Sequence, residues 1–176
     1  GTAATLTGVR YITMGGRMAA AAFPTAGLGV RRTTLSAALV ARARAEPSLE
    51  LRSETTADVL WSPDGARVVV DGATWRPRLV IAADGLRSRV GQMCGIVTVE
   101  GRPRRWGVRQ HFEGNAWTDH VEVYFGRGFE AYVTPVSGGV NVAWLWEPRA
   151  VGLPPGEDVC RVFASRIPTL AAKLSG

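Results

Sequence analysis

Apolar residues recur at helical spacing in one early stretch of the chain. Leu35, Leu39 and Val40 follow Arg32 at intervals of three, four and one, the pattern of one face of an α-helix. Pro47 closes the stretch, because proline disrupts a continuing helix. The pattern predicts a helix that begins at Arg32 and ends before Pro47.

Shorter apolar stretches on both sides of this helix predict strands. Residues 9–13 and 18–23 flank the turn pair Gly15-Gly16, which indicates a hairpin that ends at Pro24. Residues 49–53 form a further strand candidate.

Two turn signals then separate β-forming residues. Residues 63–65 read Pro-Asp-Gly and residues 71–72 read Asp-Gly, and each has valines or tryptophan nearby, so a small antiparallel meander is expected. Residues 79–83, "LVIAA", follow as an uninterrupted apolar stretch. Such a stretch is typical of a strand buried on both faces in a parallel sheet.

The second half of the chain has the alternation of an antiparallel sheet. Short glycine-containing turns connect its strands, so we expect antiparallel neighbours. The four predicted strands are residues 106–113, 120–125, 129–135 and 140–147. In the last strand, Val140, Val142, Trp144 and Trp146 share the more apolar face. Two short helices are predicted after it, at residues 159–166 and from Pro168 to Lys173.

Composition narrows the class of protein. The chain is 46% hydrophobic and contains no apolar stretch near the ~18 residues that cross a bilayer, and its first residues lack the pattern of a signal peptide. We therefore expect a cytoplasmic protein without a membrane span. Net charge is +6, but the basic residues are scattered and only Lys173 is a lysine, so no nucleic-acid partner is expected. Cys94 and Cys160 are too far apart for a metal knuckle.

The sequence "LVIAADGLRSRVG" at residues 79–91 is the main candidate for chemistry. A parallel strand that ends in Asp84-Gly85 places both residues at the carboxyl edge of a sheet, where ligands bind in open α/β folds. Glycine permits close approach of a ligand to the backbone, and Arg87 and Ser88 supply donors to a phosphate. The alternative is a plain turn, in which the aspartate caps the backbone that follows.

Three segments together resemble the class A flavin-dependent monooxygenases, the para-hydroxybenzoate hydroxylase-like group. "LVIAADGLRSRV" is similar to the family's second fingerprint, a strand of the form LVVGADGxxSxVR beside FAD. "VRRTTLSAAL" resembles the segment in which an arginine, here Arg32, precedes a leucine by three residues. "HVEVYFGRGFEAYVTPVSGGVNVAWLW" looks like the sheet over the isoalloxazine ring.

The resemblance implies an α/β fold with a partial Rossmann-like FAD-binding sheet, a meander and an antiparallel substrate-domain sheet. It implies that residues 25–97 bind FAD and that residues 1–24 and 98–176 bind substrate. NAD(P)H would reduce the flavin, and an apolar or aromatic small molecule would be hydroxylated or epoxidised. The residues it places near FAD are Arg32, Asp84, Gly85, Arg87 and Ser88, and its candidates for the substrate cavity are Arg109, His111, Tyr124 and Tyr132.

The chain departs from the family pattern in three places. Gly91 stands where the fingerprint has its last arginine, and the sequence contains neither the GxGxxG that binds pyrophosphate at a helix start nor a Gly-Asp segment. We therefore expect an internal fragment of a longer enzyme, which binds FAD poorly by itself.

Other interpretations stay open at this point. The close variant within the family is a flavoprotein reductase that saturates an isoprenoid. Outside the family, the chain would be a basic binding module for an acidic partner, or a degenerate flavoprotein kept as a scaffold. His111 and His120, with Glu113 and Glu122 nearby, lie on consecutive strands, but we expect cavity or surface residues rather than a metal site. Catalytic residues, the choice of NADH or NADPH and the oligomeric state are not predicted.

Overall fold

The computed structural model describes residues 2–52, 57–85, 88–95, 105–153 and 156–175. In these ranges the chain forms nine strands and four helices, in this order: β1 (Ala3–Thr13), β2 (Met18–Val30), α1 (Arg32–Arg44), β3 (Ala57–Ser62), β4 (Gly65–Val70), β5 (Ala73–Trp75), α2 (Arg89–Met93), β6 (Trp106–Glu113), β7 (His120–Phe125), β8 (Phe129–Val136), β9 (Gly139–Trp146), α3 (Val159–Ser165) and α4 (Pro168–Leu174). Among the described residues, no helix is long and apolar enough to cross a membrane.

The chain divides into two compact units. The first lies within Gly1–Ala41 and Pro103–Gly176, and the second within Arg42–Arg102. The mixed α/β class predicted from the sequence is confirmed, with a six-stranded mixed sheet in the first unit and a three-stranded antiparallel sheet in the second. The assignment of residues 25–97 to FAD and of the remainder to substrate stays a prediction.

The six-stranded sheet has the order β2-β1-β7-β8-β9-β6. Strands β1 and β7 run parallel, and all the other neighbours are antiparallel. Strand β6 pairs with β9 and not with β7, so the expectation that consecutive strands are neighbours is wrong for this one strand. The connection from β6 to β7 passes β8 and β9, and it is long enough to span that distance.

One face of this sheet carries the core of the first unit. Val142 and Trp144 of β9 are fully buried, as the alternation along that strand predicted. Helices α3 and α4 cover them, and Phe163 of α3 lies with its ring centroid 5.8 Å from that of Trp144. Asp158 caps α3 by accepting from the backbone N–H of Cys160 at 2.8 Å, which fixes where this cover begins.

The predicted hairpin is present but longer than expected. Strand β2 continues past Pro24 to Val30. The pairing with β1 shifts register between Leu6 and Gly8, opposite Pro24, and β2 is an edge strand. Proline is tolerated at edges and at such irregularities because no ladder hydrogen bond is lost there. The expectation that Pro24 ends the hairpin is therefore wrong.

In the second unit the meander predicted from its turns is confirmed. Strands β3, β4 and β5 pair in sequence order, and the glycines of both turns adopt positive φ, 111° at Gly65 and 80° at Gly72. A residue with a side chain rarely adopts this conformation.

Two predicted strands of this unit are not observed. Residues 79–83 form no strand, and Leu79 and Ile81 are 74% and 79% exposed. Residues 49–52 are likewise irregular. A strand exists only where its backbone groups pair with a neighbour, and among the described residues no neighbour pairs with either segment. The apolar composition of these two segments predicted strands, but no described strand pairs with them.

Candidate functional site

Asp84, Ser88 and Val90 of the predicted fingerprint are joined by hydrogen bonds in the second unit. The Ser88 hydroxyl donates to Oδ1 of Asp84 at 2.5 Å, and the backbone N–H of Val90 donates to Oδ2 at 3.0 Å. Ser88 Oγ also accepts from the N–H of Gly91 at 2.8 Å and so caps helix α2. The hydrogen bond from Ser88, and then that from Val90, lowers the pKa of Asp84 below its usual range. The aspartate is therefore a capping carboxylate, ionised at neutral pH.

Gly85 gives this turn its shape. Its φ is +84°, and among the described residues outside its chain neighbours no atom lies within 4 Å of the position that a Cβ would occupy. Arg89, the first residue of α2, donates to Oδ1 of Asp58 at 2.8 Å and is thus already paired. Arg87, a further predicted FAD contact, lies outside the described residues.

Arg32, the remaining predicted FAD contact, is the first residue of α1 and is exposed. No residue of α1 is buried, and the side chains of Leu35 and Leu39 are 50% and 61% exposed. The N-terminal neighbour, Arg31, has a buried Nε atom with no hydrogen-bond partner among the described residues.

In the first unit, the register of the six-stranded sheet gathers three of the four predicted cavity residues. On the face turned away from α3 and α4, here called the open face, one row across the strands contains Tyr11, Val123, Tyr132, Ala143 and Arg109. The next row places His111 of β6 beside Asn141 of β9. Side chains of paired residues lie on the same face of a sheet, so Arg109, His111 and Tyr132 share the open face. Their role in a cavity stays a prediction.

Tyr132 belongs to a chain of hydrogen bonds on the open face. Its hydroxyl donates to Oε2 of Glu130 at 2.7 Å, and NH2 of Arg105 donates to Oε1 of the same carboxylate at 2.9 Å. The bond from Tyr132, followed by that from Arg105, lowers the pKa of Glu130. The bond to Glu130 in turn raises the pKa of Tyr132. The ionised Glu130 carboxylate thereby keeps the Tyr132 hydroxyl protonated, and that hydroxyl stabilises the ionised carboxylate.

Tyr124, the fourth predicted cavity residue, lies on the opposite face, within the core. It is 1% exposed, and its hydroxyl donates to Oε2 of Glu122 at 2.7 Å. Burial, and then the adjacent Glu122 carboxylate, strongly raises the pKa of Tyr124. The structure therefore separates this tyrosine from Arg109, His111 and Tyr132.

Sequence reasoning did not identify the buried network around Glu122. This carboxylate is 2% exposed, and it accepts from Nε1 of Trp117 at 3.0 Å and from Nζ of Lys173 at 3.2 Å. Arg10 lies 3.5 Å from its other oxygen. Burial opposes ionisation and is the largest single influence, but the hydrogen bonds from Trp117 and Tyr124 and the charge of Lys173 outweigh it, so the pKa of Glu122 is lowered. The sequence signal for this network is that Glu122 and Tyr124 lie two positions apart on β7 and therefore share one face of the sheet.

The two histidines do not meet. His111 is on β6 and His120 is on β7, at positions separated by β8 and β9. His120 instead contacts Asp119, with 2.6 Å between Nδ1 and Oδ1. In the part of the chain that the structure describes, no three His, Cys, Asp or Glu residues cluster in a way that could hold a metal ion.

Comparison with solved structures shows which proteins share this fold. PqsL from Pseudomonas aeruginosa, described as a probable FAD-dependent monooxygenase, matches 98% of this chain with a TM-score of 0.73 and 17% identity. The halogenase PltM in complex with phloroglucinol and FAD matches 97% with a TM-score of 0.78 and 10% identity. A flavoprotein/dehydrogenase from Cytophaga hutchinsonii matches 98% with a TM-score of 0.79 and 16% identity.

These matches define a fold class: the chain has the fold of flavin-dependent monooxygenases and halogenases. It spans about half the length of the matched structures, 49%, 41% and 47% respectively. No protein-family model and no curated protein matches the sequence. The predicted resemblance to the hydroxylase-like flavoproteins is thus confirmed at the level of the fold.

Proposed function

We propose that this chain is part of a flavin-dependent monooxygenase or closely related oxidoreductase, which uses FAD and NAD(P)H to hydroxylate or epoxidise an apolar or aromatic small molecule. The observation that carries the proposal is the fold match over 97–98% of the chain to FAD-dependent enzymes. Activity would belong to the whole enzyme, since the chain spans about half of those structures.

The Asp84 turn fits a flavin cofactor. The Ser88 hydroxyl bonds to the Asp84 carboxylate and caps α2, and side chains already held by hydrogen bonds lose less conformational entropy when a ligand binds. Among the described residues outside its chain neighbours, no atom lies within 4 Å of the position of a Cβ at Gly85, and glycine permits close approach of a ligand to the backbone. In this proposal Gly85 presents its backbone to FAD and Asp84 and Ser88 fix the turn, while Arg32 and Arg87 each stay separate predictions as donors to a cofactor phosphate.

FAD, when bound, supplies the redox chemistry, while the protein binds, orients and excludes water. The residues of the open face would bind and orient the substrate and keep water away from it. Arg109 and His111 offer hydrogen-bond donors, and Tyr132 offers an aromatic surface with a polar end. On the opposite face of the sheet, the buried residues Glu122 and Tyr124 would stabilise the fold.

A titration of the full chain with FAD tests the cofactor contact. We expect weak, saturable quenching of flavin fluorescence, because the sequence lacks a GxGxxG segment. Gly85→Ala should weaken binding further, since alanine is strained at φ +84° and adds a Cβ beside the backbone. The matched control is Gly72→Ala, at φ +80° in another Asp-Gly turn of the same unit, which imposes the same strain away from the proposed contact.

Two outcomes would contradict the proposal. One is a chain that is folded by circular dichroism but shows no saturable response to FAD. The other is an equal loss of affinity in the Gly85→Ala and Gly72→Ala variants, which would reduce the effect to general destabilisation. Strong, salt-dependent binding to polyanions without any response to FAD would favour a basic binding module instead.

A further inference from the structure

A cavity of about 250 Å³ lies between helix α4 and the adjacent ends of strands β6 and β9. Phe112 and Val140, which line it, are register partners across those strands, so the cavity lies on the face of the sheet that α3 and α4 cover. None of the residues proposed for FAD or for the substrate lines it. Three apolar residues, two polar ones and a tryptophan surround the space: Phe112, Val140, Leu174, Asn115, Lys173 and Trp117.

Two cations share one buried carboxylate beside this cavity. Nζ of Lys173 lies 3.2 Å from Oε2 of Glu122, and NH1 of Arg10 lies 3.5 Å from Oε1. Among the described residues, neither cation has another carboxylate within ion-pair distance. Burial and the Glu122 carboxylate raise the pKa of Tyr124, so this tyrosine adds no negative charge. One positive charge of the network therefore has no counter-ion.

The ammonium group of Lys173 is held only loosely by its protein partners. Its contacts to the two oxygens of Glu122 measure 3.4 and 3.2 Å, and its contact to the hydroxyl of Tyr124 measures 3.2 Å. Strong hydrogen bonds between charged groups are shorter, about 2.7–2.9 Å. The Lys173 side chain is 37% exposed, so a ligand anion in the cavity would have room to approach it more closely than its present partners do.

Asn115 provides a second polar group without a partner. It lies in the connection from β6 to β7, where it is exposed, and it makes no hydrogen bond to any described residue. Its side-chain amide carries two N–H donors. An anion bound at Lys173 would thus find a further donor in the same cavity.

The size and the apolar wall of the cavity restrict the kind of anion. Pockets for drug-sized ligands hold roughly 300–1,000 Å³, so this cavity suits a smaller molecule. Phe112, Val140 and Leu174 favour a hydrocarbon chain. One unbalanced positive charge matches a monoanion, whereas a phosphate dianion would bring a second negative charge without a counter-ion.

We propose that this cavity binds a small aliphatic monocarboxylate. Its carboxylate group contacts Lys173 and Asn115, and its hydrocarbon chain lies against Phe112, Val140 and Leu174. The site goes beyond the proposed function and does not depend on it, since the cavity lies on the face of the sheet opposite to the open face.

A pair of matched probes tests the charge of the ligand. Butanoate and butanamide have the same carbon chain, but only butanoate is charged. Lysine labelled with ¹³C gives the side-chain NMR signals of a single residue, because Lys173 is the only lysine of the chain. In a titration of the full chain at neutral pH, we expect butanoate to shift these signals. We expect it to bind about three- to tenfold more tightly than butanamide, the range of a charged hydrogen bond that water partly screens.

Asn115→Asp separates this site from general attraction of anions. The substitution keeps the shape of the side chain and places a negative charge in the cavity wall, so the preference for butanoate should fall to about twofold or less, while butanamide affinity stays within about twofold. The matched control is Gln92→Glu, which adds the same charge at an exposed position of α2 that does not line the cavity. It should leave the preference unchanged. Circular dichroism confirms that both variants are folded.

Three results would overturn the inference. The first is equal affinity for butanoate and butanamide in the unaltered chain. The second is a preference for butanoate without any shift of the Lys173 signals at saturation, which would place the carboxylate elsewhere. The third is an equal effect of Asn115→Asp and Gln92→Glu on the preference, which would reduce it to the overall positive charge of the chain.

Discussion

Lys173 near the end of helix α4 and Glu122 in the centre of strand β7 are joined beneath the sheet, with 3.2 Å between Nζ and Oε2. Glu122 is 2% exposed, so its charge depends on this partner and on the N–H of Trp117 and the hydroxyl of Tyr124. A buried carboxylate with several donors holds elements distant in sequence in one arrangement.

Removal of the charge at this position should destabilise the first unit. Glu122→Gln weakens the bonds from Lys173 and Tyr124, and we expect a loss of about 2 kcal/mol in the free energy of unfolding, the scale of a hydrogen bond to a charged group. Urea unfolding followed by tryptophan fluorescence measures it. The control Glu113→Gln, at an exposed position, should change stability by less than about 0.5 kcal/mol. Equal effects of the two variants would show that the network contributes little.

The Glu122 carboxylate also predicts that the folded state loses stability at acid pH. Burial favours its neutral form, but the hydrogen bonds from Trp117 and Tyr124 and the charge of Lys173 outweigh burial and lower the pKa in the folded state. The folded state therefore binds its proton at lower pH than the unfolded chain does. The stabilisation is complete above the ordinary value of 4.5 and is lost as pH falls through the folded pKa. Unfolding curves over a pH series should show a loss that Glu122→Gln lacks.

Tyr124 predicts a loss at the alkaline end. Burial and the Glu122 carboxylate raise its pKa in the folded state, so its contribution is complete below the ordinary value of 10.0. It declines as pH rises above that value, because the unfolded chain releases the proton first. Phenolate absorbance should show Tyr124 titrating above the ordinary value of 10.0. Ionisation of Tyr124 near pH 10 in the folded chain would contradict this.

The turn at Ser88 should depend on the serine hydroxyl. Ser88→Ala removes the cap of α2 and the donor to Asp84, and we expect a cost of about 1 kcal/mol to the local stability of α2. Amide hydrogen exchange of Gly91 and Gln92 measures this directly. Ser88→Thr keeps the hydroxyl and should restore protection. Unchanged exchange in Ser88→Ala would show that the cap is dispensable.

Two glycines of β2 differ sharply in their tolerance of a side chain. A Cβ at Gly29 would overlap the backbone oxygen of Pro135, whereas the nearest atom to one at Gly27 would be Leu6 Cβ, at an ordinary contact distance of 3.6 Å. Since backbone gives way less readily than side chains, Gly29→Ala should cost about 3 kcal/mol and Gly27→Ala much less. Thermal unfolding of the two variants provides the comparison. Similar melting temperatures would contradict the close approach of β2 to β8.

Short-range patterns predicted most of the individual elements. The strands of the second half begin and end within one residue of their predicted positions at 106–113, 120–125 and 129–135, because alternation and glycine turns are local properties. The meander and the helix at Arg32 follow from the same kind of signal. Pairing is less predictable, since strand β6 neighbours β9 and, within the part of the chain that the structure describes, the segment 79–83 pairs with no strand.

The residues of the candidate sites also differ in whether sequence alone or only the sheet register brings them together. Asp84 and Ser88 lie four residues apart, so their contact is local, although the sequence favoured a strand end at Asp84-Gly85 and offered the aspartate-capped turn only as the alternative. The three residues that share the open face come from two strands separated by β9, and only the register of the sheet shows that Arg109 stands in the row of Tyr132 while Tyr124 points into the core.

The sequence by itself determined the local elements, the Asp-Gly turn and the resemblance to hydroxylase-like flavoproteins, because each depends on residues close together along the chain. Only the tertiary structure decided which strands are neighbours, which face each side chain occupies and which charges are buried together. Glu122 and Lys173 are 51 positions apart, and no local pattern pairs them. Their contact exists because the sheet and α4 exclude water from the same place, where a charge without a partner would be costly.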